Sequence, residues 1–182
     1  MCNLNKIGWL IAGACAGVLA AIVFCAIAAV AAGTFYGALA NGVLMISAAV
    51  AIGLALVSIN IAIQSVGPCI INPCKAPGTA LQNSFIAVAI ALTVLLAALI
   101  LGIFAASIPW AGVAVAIGLG VGAAALAIAL TVAQRNLTAL ELCMAAPRAV
   151  GVNVATGFIA TTVAILVIAL VTVTGGVFLG GW

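Results

Sequence analysis

Apolar positions in this chain do not alternate with polar ones; they run on without interruption. Five stretches, about 7–32, 41–65, 85–107, 111–134 and 154–178, are filled almost wholly by Ala, Val, Ile, Leu and Gly. None has Lys, Arg, Asp or Glu in its central part. A helix of about 20 apolar residues crosses a hydrocarbon core of about 30 Å. Each stretch is that long. Strands of a membrane barrel would alternate polar and apolar residues over about 10 positions, and no such pattern occurs. The sequence therefore predicts an all-α integral membrane protein with about five transmembrane helices in a single domain spanning 1–182.

Short connections at 33–41 and 107–112 make antiparallel neighbours of helices one and two, and of three and four. The prediction is two helical hairpins plus a fifth helix, with no soluble domain. Pro109 suits the start of the fourth helix, because a first-turn residue needs no amide hydrogen. The first apolar run exceeds the 7–15 residues of a signal-peptide core, so it is expected to be a retained span. "AVAIGL" occurs at 49–54 and again at 114–119. Internal duplication and low complexity both account for it.

Composition supports the membrane class. Hydrophobic residues make up 69% of the chain and charged residues 3%. About 25% charge is usual for a soluble domain. The net charge of +3 rests on five side chains, too few for the basic face that nucleic-acid binding needs.

The few charges carry topological information. With five spans, Lys6, Lys75, Arg135 and Arg148 all fall on one side of the membrane. Positively charged loops stay cytoplasmic, so this pattern predicts a cytoplasmic N-terminus and an outside C-terminus. Tyr36, Trp110 and Trp182 then fall near the outer boundary and Trp9 near the inner one, where amphipathic rings are favoured.

Helices associate in lipid chiefly through close packing of small residues. Gly13 and Gly17, Gly118 and Gly122, and Gly176 and Gly180 have GxxxG spacing. The first two pairs are the candidate helix-packing positions, within one bundle or between subunits. Helix one, where Ala12, Ala14 and Ala16 flank the glycines, is expected to carry the intermolecular face. Helix three, bulkier and with one glycine, is expected to face lipid more than the others.

Chemistry-bearing residues are scarce. There is no His, and Glu141 is the lone acid. An acid–base pair, a His ligand and a Ser-His-Asp set are all excluded. No catalytic or cofactor-binding residue is assigned, and no cofactor is expected. Asn60 and Gln64, four apart, are the polar intramembrane candidates. Together with Thr156, Thr161, Thr162, Thr172 and Thr174 they read either as a polar seam for a neutral solute or as helix-to-helix hydrogen bonding. "TALE" at 138–141 fits a capping box, Thr138 with Glu141, opening a short surface helix or extending helix four.

"GPCIINPCKAPG" at 67–78 breaks the apolar monotony. Cys15 and Cys25 lie inside helix one and act as small apolar residues. Cys2, Cys69, Cys74 and Cys143 share the side that bears the cations. They read as free thiols, as a Cys69–Cys74 bridge, or as a weak four-thiolate metal candidate lacking CxxC spacing. A bridge would require an oxidising compartment, in tension with the charge pattern. Asn136-Leu-Thr, a glycosylation acceptor if lumenal, adds to that tension. Cys2 is also a candidate for lipidation.

These features point to a non-catalytic multi-pass subunit, contacting lipid and assembling with itself or with other membrane subunits. The alternative is a small channel, holin-like pore or carrier for a neutral solute. An enzyme would be limited to thiol chemistry at Cys69 and Cys74.

Overall fold

The computed structural model describes the backbone of residues 2–31, 37–104, 111–144 and 150–179, and the side chains of 2–28, 42–104, 114–144 and 150–172. Five helices account for nearly all of it: α1 (Leu4–Ala31), α2 (Gly37–Val66), α3 (Lys75–Ile103), α4 (Ala111–Cys143) and α5 (Val150–Leu179). A 3-10 turn, Gly67–Cys69, follows α2. All five helices are long and apolar enough to span a membrane, and no strand occurs among the described residues. Tyr36, Pro109, Trp110, Arg148 and Trp182 lie outside the described residues, as do the side chain of Thr174, the surroundings of Gly176 and the whole of Gly180.

Two boundaries differ from the sequence expectation. α3 begins at Lys75, ten residues before the predicted span, because Pro77 sits in its first turns, where its missing amide costs no helical bond. α4 runs without a break to Cys143, which is the extension of helix four that the sequence allowed rather than a separate surface helix, so Thr138 lies inside a helix and caps nothing. Its hydroxyl donates to the Gln134 carbonyl at 3.0 Å.

The helices close into a ring. α1 packs on α2, α2 on α3, α3 on α4, α4 on α5 and α5 back on α1, with the two antiparallel pairs α1–α2 and α3–α4 in most extensive contact. Large apolar side chains fill the ring: Ile7, Ile11, Ile59, Phe85, Leu92, Leu126 and Ile159 are each at most 1% exposed. α3 supplies a full seam to this core, from Leu81 through Phe85, Val88, Leu92 and Leu95 to Leu99. It is among the most covered of the helices and α5 is the least covered. The expectation that α3 turns to lipid is thus reversed. Bulk on a membrane helix does not distinguish lipid from core, since both are apolar.

Small residues set the spacing between helices. A Cβ on Gly17 would stand 2.9 Å from the Ala51 carbonyl oxygen and 3.1 Å from the Ala55 Cβ. Gly17 therefore belongs to the α1–α2 seam inside the protomer. Gly13 stands beside it and lets Ser58 reach across, so that its hydroxyl donates to the Leu10 carbonyl at 2.6 Å. Gly118 abuts Ala98 and Gly122 abuts Leu95, both across α3–α4. The closest crossing is one the GxxxG pattern missed. Gly8 of α1 lies directly against the backbone of Gly151 of α5.

The repeated hexapeptide has no structural equivalence. Gly118 of the second copy is packed on Ala98, whereas Gly53 of the first has no atom within 4 Å of where a Cβ would be.

Candidate functional site

Chemistry concentrates at one end of the ring, around 67–78. The connection holds a cis peptide between Asn72 and Pro73 and turns the chain from the end of α2 into α3. Gly78, on the first turns of α3, sits against the Cys69 carbonyl and Ile70, where a side chain would collide at 2.9 Å. This contact seats the turn on the helix it precedes. Cys69 and Cys74 are buried and look in different directions.

The bridge between Cys69 and Cys74 that short spacing suggests does not form. Cys69 pairs with Cys2, and Cys74 with Cys143, over sequence separations of 67 and 69. The reason is positional: Cys69 closes the 3-10 turn beside the start of α1, while Cys74 immediately precedes α3 beside the end of α4. The two bridges lie close together, as Cys2 Sγ is 3.7 Å from the sulfur of Met144. The Pro-rich connection is therefore a clasp, tying the start of α1, the α2–α3 turn and the end of α4 at one membrane face. All four sulfurs are committed to disulfides, so none is left as a thiolate for a metal, and Cys2 has no thiol to acylate. No group of metal-ligating side chains occurs among the described residues. Cys15 and Cys25 remain unpaired within α1, and Cys15 lies beside the Thr162 hydroxyl.

Polar side chains along the ring work mostly as fasteners. Asn136 of α4 donates to Ser84 Oγ at 2.6 Å and to the Ala80 carbonyl at 3.2 Å, both on α3. Its amide is spent on the neighbouring helix, which removes the glycosylation reading. Gln82 of α3 donates to the Ile63 carbonyl of α2 at 3.4 Å. The Gly151 amide of α5 donates to Asn5 Oδ1 of α1 at 2.8 Å. With Ser58 to Leu10, hydrogen bonds among the described residues cross the α1–α2, α2–α3, α3–α4 and α1–α5 contacts. Sequence reasoning missed Asn5, Ser58, Gln82, Ser84 and Asn136 as fasteners, because position along a helix does not say which way a side chain faces.

Of the two readings of these polar residues, the seam does not assemble among the described residues. Thr156, Thr161, Thr162 and Thr172 each donate to the carbonyl four residues earlier. Only Thr162 among them is buried. Asn60 and Gln64 are exposed on the outer side of α2, facing away from the ring's interior. Gln64 lines a shallow groove with Asn3, Lys6, Ile61, Ser65 and Pro68 at the disulfide end. Asn3 caps α1 there, accepting from the Lys6 amide at 3.1 Å. A second groove, lined by Thr131, Gln134, Arg135 and Thr138, lies wholly on α4.

No protein-family model matches this chain, and no curated protein or solved structure matches it.

Proposed function

We propose that this chain is a non-catalytic multi-pass subunit that assembles in the membrane with copies of itself or within a larger membrane complex. The observation that carries the reading is the filled interior of the ring. Among the described residues, the buried polar or charged side chains are Ser84, Glu141 and Thr162. The hydroxyls of Ser84 and Thr162 are bonded to carbonyls of their own helices. An interior filled by Leu, Ile and Phe supports no wetted path, and the reactive groups buried among the described residues are Glu141, two residues from the end of α4, and the unpaired thiol of Cys15. A channel or carrier formed by this chain would need its lining between chains, so it too would require assembly.

Charge and sulfur chemistry favour opposite orientations. The cations favour a cytosolic N-terminus, whereas disulfides persist in oxidising compartments. We propose that the disulfides govern, placing the N-terminus and both bridges on the extracytosolic side. Charge bias is a statistical preference of insertion carried here by very few residues, while a bridge needs a compatible environment throughout the protein's life.

Extraction from native membranes in mild detergent, followed by intact-particle mass measurement, tests the subunit reading. A multiple of the 17.7 kDa chain or a mixed particle is expected. A particle of one chain, both in detergent and by cross-linking in native membranes, overturns it.

A further inference from the structure

The groove at the disulfide end is built from two helices and the turn that follows them. Asn3, which caps α1, and Lys6 line one side; Ile61, Gln64 and Ser65 of α2 and Pro68 of the 3-10 turn line the other, around about 300 Å³. Both walls are pinned. Asn3 follows Cys2 and Pro68 precedes Cys69, and those two cysteines are bonded. Further along, Ser58 of α2 holds the Leu10 carbonyl of α1. A groove fixed at both ends takes a ligand without first having to order its walls.

The groups left over in this groove are donors. Lys6 brings an ammonium with three hydrogens and no acceptor, and it makes no ion pair among the described residues. Asn3 spends Oδ1 on the Lys6 amide, which leaves its NH2 to donate. Gln64 is exposed, and its carboxamide makes no hydrogen bond among the described residues. Ser65 is already spent, donating to the Ile61 carbonyl at 2.8 Å. The chain has little anion to give this cluster. Its four cationic side chains face a single acid, Glu141, which is buried on α4 and does not line the groove. An ammonium beside two amide donors suits the oxygens of a phosphate.

The surroundings name the source of that phosphate. Ile61, Val57 and Leu54 continue from Gln64 along the outer side of α2 and are 40%, 56% and 65% exposed. The groove opens where α1 starts and α2 ends, and both helices are long and apolar enough to span a membrane. A ligand seated there has donors at one end and an apolar track at the other. A phospholipid has that form, whereas a free phosphate leaves the track unused. With no carboxylate to meet a choline ammonium, the groove favours a headgroup of net negative charge. The groove on α4 lacks these features: the hydroxyls of Thr131 and Thr138 donate to their own helix, and no second helix walls it.

We propose that the α1–α2 groove binds the headgroup phosphate of an anionic phospholipid, one per chain, with Lys6, Asn3 and Gln64 as donors. The site goes beyond the subunit reading and does not depend on assembly.

The test is lipid titration of the purified full-length chain in mild detergent, read by native mass spectrometry and by melting. Phosphatidylglycerol should leave one retained adduct per chain and raise the melting temperature. Phosphatidylcholine with the same acyl chains should bind about 5-fold more weakly. Lys6→Gln should weaken phosphatidylglycerol binding about 5-fold and Gln64→Leu about 3-fold. Lys6→Arg, Lys75→Gln and Arg135→Gln should stay within about 2-fold of the unsubstituted chain, since each keeps the groove's cation. Equal losses from Lys6→Gln, Lys75→Gln and Arg135→Gln mean diffuse charge attraction and overturn the site. A lower melting temperature for Lys6→Gln at unchanged lipid affinity makes Lys6 a partner of the carbonyl end of α2 and also overturns it. Equal stabilisation by inorganic phosphate or glycerol phosphate overturns the lipid in favour of a soluble anion. If Lys6→Gln does not fold, Gln64→Leu and the two headgroups decide the matter.

Discussion

Asn136 holds Ser84 across the α3–α4 interface at 2.6 Å, and the same amide reaches the Ala80 carbonyl behind it. Helix pairs in lipid gain little from hydrophobic burial, so such a bond adds a specific contribution of about 0.6–2 kcal/mol. Asn136→Leu is expected to destabilise the protomer by about 1 kcal/mol, measured by unfolding in mixed micelles. Ser84→Ala added to it should cost little more, since the two side chains form one interaction.

Glycine substitutions should rank by what lies opposite. Gly8→Ala drives a methyl into the Gly151 backbone, which cannot rotate away. Overpacking of this kind costs about 1–3 kcal/mol. Gly17→Ala, facing the Ala51 carbonyl and Ala55, should fall close behind. Gly53→Ala meets open space, and replacing Gly within a helix should leave protomer stability unchanged or raise it by up to about 1 kcal/mol. Melting of the three variants in detergent gives the order directly. Equal losses at Gly8 and Gly53 would contradict the packing described.

Peptide mapping without reduction should find Cys2 joined to Cys69 and Cys74 joined to Cys143. A peptide pairing Cys69 with Cys74 should be absent. In a free chain, closing loops of this length contributes about 4 kcal/mol per bridge in the chain-entropy account. Inserted helices already restrict the unfolded state, so Cys74→Ser is expected to cost less than that. Unfolding in mixed micelles with and without reductant measures it.

Orientation is open to a direct measurement. After treatment of intact cells with an impermeant reductant, an impermeant maleimide should label Cys143, the exposed member of its bridge. Labelling that requires cell lysis would place the clasp in the cytosol and restore the orientation that the cations favour.

The membrane class, the number of spans and the pairing of helices into hairpins were legible in the sequence. Apolar run length is a one-dimensional property and lipid imposes it residue by residue. The common side of Cys2, Cys69, Cys74 and Cys143 was legible for the same reason, since an even or odd count of crossings decides it. Partners were not. Cys69 and Cys74 are five apart, yet each bonds a residue more than 65 positions away, because the turn aims them at different helix ends. Rotation about each helix axis was equally hidden. In a chain apolar on every side, Gly17 facing α2, Leu92 facing the core and Asn60 facing outward have the same sequence surroundings. Only closure of the ring assigns each its direction: close contact between backbones selects the small residues, the interior takes the bulk, and whatever is left over faces the bilayer or another chain.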